Sequence, residues 1–314
     1  MKFYECLNAN VARTRITLHV HALPGLARPG VIIATIATTS MPELSIESAP
    51  VLLTKRSVAD ALRSWAITLG CPVSYLEQAR VVSVQREFVE GEREVRIFTR
   101  GESAVVSMPS AAARDFALGD DEINELVELA RSDAAPGTVV TLRGTTLVVD
   151  DEPASVSVLD YDTFRAATNP ARAAMVFDPR LDVMDMLRHE VSAAEWEKGG
   201  GLLLSPHRVG ALAGGVLVAL ATVSAADGHL ARIHVIVAPN FRRRGLGRLV
   251  LQALAKHVLS EGLLPFARIG ANDVAARALA GATGFVAFAR ALTIRITAVP
   301  QHQAAHGGAG PVFA

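Results

Sequence analysis

The chain has 314 residues, of which 50% are hydrophobic, and its 31 Lys and Arg residues balance 31 Asp and Glu residues. This zero net charge argues against a protein whose whole surface binds nucleic acid or another polyanion. The length allows two domains with sizeable cores. The two cysteines, Cys6 and Cys71, are far apart and form no C-x-x-C pair, so neither a zinc site nor a disulfide framework is predicted, and a reducing cytoplasm fits.

Residues 1–50 are predicted to be a disordered extension. Residues 1–40 show neither helical nor strand periodicity over a useful length, and Met41 begins a more ordinary protein start. His19, His21 and Pro24 interrupt the modestly apolar stretch near the N-terminus, which makes it a poor signal peptide. We expect either an extension from an upstream start codon or a disordered arm.

Residues 51–150 are predicted to form a small α/β domain. Apolar residues between Lys55 and Leu69 follow helical spacing, and Gly70 supplies the stop. The later patterns in this part predict strands over 80–88, 94–99 and 104–108, a helix over 122–131 and a hairpin over 138–149. None of these segments has catalytic spacing, which favours a structural or substrate-shaping role. The acidic, Pro-containing run from Asp150 to Pro153 is the predicted domain boundary.

Two helices are predicted early in the second domain. Asp178 and Pro179 have the residue types of an N-cap and a first helical position. Ser192 and Glu195 have the spacing of a capping box for the next helix. The 18 uncharged residues from Val209 to Ala226 are close to the length of a membrane span. Gly214 and Gly215 at their centre favour a buried β-hairpin instead.

The most informative segment is Asn240–Arg248, which reads N-F-R-R-R-G-L-G-R. It follows a strand-like run, Ile233–Pro239, and opens a helical run, Leu249–Leu259. Glycines at a strand-to-helix turn let several N–H groups converge, and the helix dipole adds about half a positive charge. The segment therefore predicts a site for a pyrophosphate. The alternative is a solvated basic turn, and the surrounding glycines, strand and helix favour the anion site.

Other phosphate loops fit this segment less well. No G-x-x-x-x-G-K-[ST] run is present, and Val250 replaces the third glycine of a dinucleotide fingerprint. The remaining R-x-x-G-x-G pattern after V-x-P resembles motif A of the GCN5-related N-acetyltransferases (GNAT). Ala271–Leu279 followed by Gly284-Phe285 resembles that family's second motif. The likeness spans about 156–298 and resembles a bacterial subgroup with an additional N-terminal domain.

The resemblance implies an α/β fold with a mixed, mostly antiparallel sheet flanked by helices, together with the smaller N-terminal α/β domain over 51–150. It also implies that acetyl-CoA binds through the backbone of the strand before the loop and through the loop itself. The implied cofactor-binding residues are Val235, Ile236, Val237, Arg242, Arg243, Arg244, Gly245, Leu246, Gly247, Arg248 and Asn272. Asp273 fits the motif spacing better than Asn272 does.

The catalytic candidates are fewer. His234 and Glu197 are the predicted acid–base residues, with Glu195 as a further candidate. A hydrogen-bonded structural role is the alternative for His234, and an ordinary solvated charge is the alternative for the glutamates. Many family members place a Tyr in the last helix to protonate the departing thiolate, and the matching position here is Ala280.

The sequence therefore predicts a cytoplasmic acetyl-CoA-dependent N-acetyltransferase acting on a small-molecule or peptide amine. The alternative is a non-catalytic acyl-CoA-binding or regulatory module. No metal, nucleic-acid or membrane partner is expected, since His189-Glu190 lacks the second His of H-E-x-x-H. The oligomeric state is left open, with a homodimer among the alternatives. Residues 299–314 are predicted to be a disordered tail.

Overall fold

The computed structural model describes residues 17–19, 35–37, 52–87, 93–110, 112–113, 118–167, 173–200 and 207–298. In the unit Met1–Pro50, two short strands pair antiparallel, Thr17–His19 (β1) and Thr35–Ala37 (β2). The rest of the predicted extension and the tail 299–314 lie outside the described residues, so their predicted disorder stays a prediction.

The first half of the unit Val51–Ala314 is a mixture of helices and strands that follows the sequence patterns closely. Helix α1 ends at Gly70, whose φ of 67° provides the expected left-handed stop. The elements are α1 (Lys55–Leu69), α2 (Ser74–Glu77), β3 (Val81–Arg86), β4 (Glu94–Arg100), β5 (Ser103–Pro109), α3 (Asp120–Arg131), β6 (Val139–Leu142) and β7 (Thr145–Val149).

The second half contains the predicted strand, loop and helix. The uncharged run Val209–Ala226 forms the predicted hairpin, and no helix among the described residues is long and apolar enough to cross a membrane. The elements are β8 (Ala154–Val158), β9 (Ala174–Phe177), α4 (Leu181–Glu190), α5 (Ala193–Lys198), β10 (Arg208–Ala213), β11 (Val216–Asp227), β12 (Leu230–Val237), α6 (Leu246–Ser260), β13 (Leu264–Gly270), α7 (Val274–Thr283) and β14 (Val286–Ala298).

The start of α4 differs from the prediction. The helix begins at Leu181 with Arg180 as its N-cap, and no side chain caps it. Asp178 instead has a φ of 48° and binds the side chain of Arg208. That ion pair with the neighbouring strand holds the aspartate outside the helix. The capping box of α5 is confirmed. The Ser192 hydroxyl accepts from the amide of Glu195, and the Glu195 carboxylate accepts from the amide of Ser192.

One sheet runs through both halves of this unit. Its strand order is β3-β5-β4-β14-β8-β13-β12-β11-β10-β9, with β7 also on β14. The long strand β14 pairs with β8 through its first part and with β4 and β7 through its last part. All the pairs are antiparallel apart from β12–β13 and β3–β5. The predicted fold class, a mixed and mostly antiparallel sheet flanked by helices, is confirmed.

The predicted boundary at Asp150–Pro153 lies between β7 and β8, inside the unit Val51–Ala314. Because β14 hydrogen-bonds to strands on both sides of this boundary, the two parts share a sheet as well as a covalent link. Whether 51–150 and 156–298 fold as separate domains stays a prediction.

Helices cover both faces of the second half of the sheet. Helix α6 packs on one face against alternate residues of β12 such as Ala231 and Ile233. The other face is covered by α1, which contacts Leu230, and by α4 and α5, which contact Ile236. The two sets of β12 residues follow the two-residue period of a strand. We call the second face the α1/α5 face.

Candidate functional site

The site begins where β12 ends and α6 starts. A short 3-10 turn, Pro239–Phe241, follows the strand, and the chain then reaches the N-terminus of α6. Arg243 and Gly245 have φ angles of 61° and 78°. This left-handed conformation is strained for residues with a Cβ and costs glycine little, so Gly245 is the residue that lets the chain enter the helix here.

The loop presents a row of free backbone donors. In the described part of the chain, no acceptor binds the N–H groups of the six consecutive residues from Arg243 to Arg248. The first internal bond of α6 is donated by Leu249 to the carbonyl of Gly245. The positive end of the helix dipole lies at the same point. Free amides at the positive end of a helix are the features that the sequence-based prediction of an anion site requires, and binding of an anion there stays a prediction.

Beside this loop the sheet opens. Strands β12 and β13 pair only over Leu230–Arg232 and Leu264–Phe266. Beyond Arg232, β12 stays paired with β11 up to Val237, and β13 stays paired with β8 up to Gly270. The two parallel strands therefore diverge and leave a V-shaped gap that leads toward the loop.

Alternation decides which backbone groups of β12 face this gap. The amide of Ala238 donates to Val218 on β11, so even-numbered residues of β12 direct their polar groups toward β11. The groups of Val235 and Val237 therefore point toward the gap, and the carbonyl of Val237 accepts from Arg242 Nε at 3.1 Å. The backbone N–H and C=O of Ile236 face Leu220 on β11, and the Ile236 side chain is buried. Of the three predicted backbone positions, Val235 and Val237 are the ones placed to meet a ligand.

The arginines of the loop have distinct surroundings. Arg242 binds Val237 and also donates from Nη2 to Glu195 at 2.7 Å, so its side chain points toward α5. The guanidinium of Arg244 lies over the ring of Phe241, 5.1 Å from the ring centroid. Arg248 carries a buried Nε without a hydrogen-bond partner in the described part of the chain. Such an orphaned donor needs an acceptor that the described residues do not provide.

The residues of the second motif have structural partners. Asn272 donates from its side chain to Glu152 at 3.1 Å, and Asp273 caps α7 by accepting from the amide of Ala276. The role of Asn272 toward a cofactor stays a prediction. Ala280 is buried against Phe285 in the core under α6, so this position offers no proton donor.

His234 lies on the α1/α5 face of β12. Its Nδ1–H donates to the carbonyl of Lys198 at 3.1 Å, which leaves Nε2 to accept from the Ser224 hydroxyl at 3.2 Å. Burial lowers the pKa of His234 to about 4, and the nearby charge of Arg232 acts in the same direction. The imidazole is therefore neutral at pH 7 and is a weak base.

The two glutamates of α5 differ. Glu195 is held by Arg242, and that hydrogen bond is the main reason why the pKa of Glu195 lies below its usual value. Glu197 is exposed, and its side chain forms no hydrogen bond or ion pair with the rest of the described chain. Its predicted acid–base role stays a prediction.

Two partly buried cations beside the gap were missed in the sequence. Arg232 on β12 and Arg268 on β13 both lie on the α1/α5 face. The available signal was a single arginine at an alternating position of each apolar strand, which by itself does not indicate that the two strands are neighbours.

Comparisons with known proteins agree with this geometry. Residues 182–285 match the Acetyltransferase (GNAT) family, and no curated protein matches the chain. A GNAT-family structure from Colwellia psychrerythraea is similar at 19% identity and a TM-score of 0.40, over 61% of this chain and 76% of the other. A second GNAT-family structure, from Novosphingobium aromaticivorans, is similar at 20% identity and a TM-score of 0.36, over 52% of this chain and 72% of the other.

A third similar structure is the ribosomal-protein-alanine N-acetyltransferase from Brucella melitensis, at 17% identity and a TM-score of 0.30, over 40% of this chain and 99% of the other. Because these identities and scores are low, the assignment depends on the sequence match. The subgroup with an additional N-terminal domain stays a prediction. Residues 182–285, which contain β12, the Arg/Gly loop and α6, are thus the part of the chain that matches the Acetyltransferase (GNAT) family.

Proposed function

We propose that this protein transfers an acetyl group from acetyl-CoA to an amine by direct attack. The observation that carries the proposal is the row of unbonded N–H groups from Arg243 to Arg248, placed at the positive end of α6 and beside the gap between β12 and β13. A pyrophosphate is the ligand that such a row fits best. The gap offers an extended ligand a path past the backbone of Val235 and Val237.

The residues present fit acetyl-CoA. The loop amides and the orphaned Nε of Arg248 would hold the pyrophosphate, and the backbone groups of Val235 and Val237 that face the gap would hold the pantetheine arm and its acyl end. When bound, acetyl-CoA supplies an acetyl group already activated as a thioester. The main work left to the protein is orientation, which lowers barriers by up to about 7–11 kcal/mol in favourable cases.

The acid–base chemistry is modest. A histidine with a pKa of about 4 cannot efficiently take a proton from an alkylammonium group, whose pKa is about 10. We therefore expect the amine to enter the site in its neutral form, with His234 positioned by Lys198 and Ser224. Glu197 remains a candidate base from the sequence. Ala280 supplies no acid, and a thiol with a pKa of about 8.5 leaves tolerably as the thiolate.

The test has two measurements on the full chain. Isothermal titration calorimetry with acetyl-CoA measures binding, and release of free thiol in the presence of amines, amino acids and lysine peptides measures transfer. We expect binding together with amine-dependent thiol release. Absence of acetyl-CoA binding would refute the proposal.

A second candidate is a non-catalytic acyl-CoA-binding or regulatory module, and the observation that favours it is the buried Ala280 in place of a proton donor. Tight binding of acetyl-CoA with no thiol release across a broad amine panel would support this second function. The amine panel also tests the acceptor class, a small-molecule or peptide amine. The cytoplasmic location stays a prediction, and a homodimer stays one of the alternatives for the oligomeric state.

A further inference from the structure

Two arginines lie at the point where β12 and β13 begin to diverge. Arg232 is the last β12 residue paired with β13, and Arg268 is two residues beyond its pairing partner Phe266. Leu230 and Phe266 precede them on the same strand faces and pack in the core beside α1. The strand period therefore places both guanidiniums on the α1/α5 face, beyond the residues of β12 and β13 that pack against α1.

Among the described residues, neither guanidinium has an acidic partner within ion-pair distance. No hydrogen bond or ion pair of the Arg232 or Arg268 side chain occurs with any residue the structure describes, and Nη2 of Arg268 is buried without a partner. A buried guanidinium nitrogen without an acceptor costs free energy, so the unpaired Nη2 of Arg268 is a place where an acceptor from a ligand would be stabilising.

The local charge balance leaves room for one anion. Asp151 is the acidic residue that acts on both arginines, and Glu94 acts on Arg268. Glu94 is already paired with Arg96 at 3.7 Å. With that pair set aside, two arginines face one aspartate, which leaves one uncompensated positive charge. Burial and the charge of Arg268 lower the pKa of Arg232 to about 10, so Arg232 remains cationic at pH 7. Burial also lowers the pKa of Arg268. A guanidinium stays protonated in proteins, so Arg268 is counted as a cation as well.

The position separates this charge from the phosphate loop. Arg232 is five residues before Val237, about 17 Å along a strand, so the pyrophosphate held by the loop is out of reach. Arg232 is also three residues before Val235, which is about 10 Å along the strand. The backbone of Val235 faces the gap. A small molecule held by the arginines could thus place a second group beside the acyl end of the cofactor.

We propose that Arg232 and Arg268 bind a carboxylate of the acceptor, so that the acetylated amine is one that carries a carboxylate elsewhere in the molecule. This inference rests on the proposed acetyl transfer and narrows it to a class of substrate. A carboxylate matches the planar donor fork of a guanidinium and brings the single negative charge that the cluster lacks.

The experiment uses calorimetry on the full chain, with and without CoA. The probes are β-alanine, 4-aminobutyrate, 6-aminohexanoate and α-amino acids, each paired with the amine that lacks the carboxylate. Phosphoethanolamine tests a phosphate as the alternative anion. We expect each favoured carboxylate to bind about 10- to 100-fold more tightly than its matched amine, as for hydrogen bonds to charged groups.

Variants locate the effect. Arg232→Gln and Arg268→Met should abolish the preference for the carboxylate. Arg131→Gln, which removes an arginine of α3 paired with Glu128, should keep it. Equal binding of the paired probes, binding of none of them, a preference for phosphoethanolamine, or an unchanged preference in Arg268→Met would overturn the proposal.

Thermal unfolding without ligand gives a second readout. Because Arg268 is buried without a partner, Arg268→Met should raise the melting temperature. A lower melting temperature would show that Arg268 stabilises the fold and would overturn the proposal. Titration of acetyl-CoA into the same samples distinguishes failure of the proposed acetyl transfer from failure of the proposed acceptor class. If the wild type does not bind acetyl-CoA, the transfer reaction is refuted. If it binds acetyl-CoA but shows no preference for carboxylates, only the acceptor class is refuted.

Discussion

Arg242 donates from Nη2 to Oε1 of Glu195 at 2.7 Å, and this ion pair joins the Arg/Gly loop to helix α5. The same arginine donates from Nε to the carbonyl of Val237, so one side chain connects the end of β12, the loop and the helix. Both partners are about half exposed, with 47% and 46% of their side chains accessible. The pair therefore positions the loop more than it stabilises the fold.

Substitution of this pair should separate positioning from stability. Glu195→Gln should lower the free energy of unfolding by less than about 1 kcal/mol, since exposed pairs contribute little. Arg242→Ala also loses the bond to Val237 and should raise the Kd for acetyl-CoA more than Glu195→Gln does. Calorimetry and urea unfolding measure both effects. An equal loss of affinity in the two variants would contradict the role given to the Arg242–Val237 bond.

The two ends of α6 offer a matched test of the anion site. Gly245 before the helix and Gly262 after it have nearly the same φ, 78° and 79°. Glutamate at either position should cost about 1–2 kcal/mol of stability through left-handed strain. Only Gly245→Glu should lose acetyl-CoA binding, by more than about tenfold, because its carboxylate repels the pyrophosphate.

Gly262→Glu is the control, since a Cβ at Gly262 meets no atom within 4 Å. Calorimetry with acetyl-CoA on both proteins checks the prediction. Retained affinity in Gly245→Glu would count against the loop as the pyrophosphate site.

His234 should make stability depend on pH. Its pKa is about 4 in the folded chain and about 6.5 when unfolded, so between these values the unfolded state binds a proton that the folded state does not. Stability therefore falls as the pH is lowered from about 6.5 to 4, by about 3 kcal/mol from this group. Above pH 7 His234 is neutral in both states, so it adds no pH dependence to the stability there.

His234→Asn removes the titrating group, and the asparagine amide offers a donor for the carbonyl of Lys198. Urea unfolding at pH 7.5 and pH 4.5 should show a smaller difference in the variant than in the wild type. The same dependence on pH in both proteins would argue against a buried neutral imidazole.

A close contact with Thr163 explains why glycine precedes Phe285. Gly284 ends α7 with a φ of 104°, and a Cβ there would lie 1.9 Å from the carbonyl oxygen of Thr163. Gly284→Ala should therefore lower the free energy of unfolding by about 3 kcal/mol or more. Gly281→Ala, inside the same helix and facing open space, should stabilise the protein by about 0.5–1 kcal/mol. Urea unfolding of both variants provides the comparison, and similar stabilities would show that the Gly284 contact yields easily.

The sequence was sufficient to predict the conformation of the Arg/Gly loop because everything needed there is local. A strand, two glycines and a helix start within Ile233–Ser260 fix the direction of consecutive amides through φ and ψ alone. The hairpin at Gly214-Gly215 was predictable for the same reason. The start of α4 was not, because Asp178 binds Arg208, a partner 30 residues away.

Tertiary structure decided which strands become neighbours and where they separate. No pattern in β12 indicates that its pairing with β13 stops at Arg232, or that Arg268 lies beside the same gap. Likewise, the pairing of β14 with β4 and β7 on one side and with β8 on the other joins the two halves of the unit Val51–Ala314 in one sheet, and no local pattern indicates it. Local backbone preferences are written in adjacent residues, whereas the burial of a charge and the choice of a strand partner depend on segments distant in sequence.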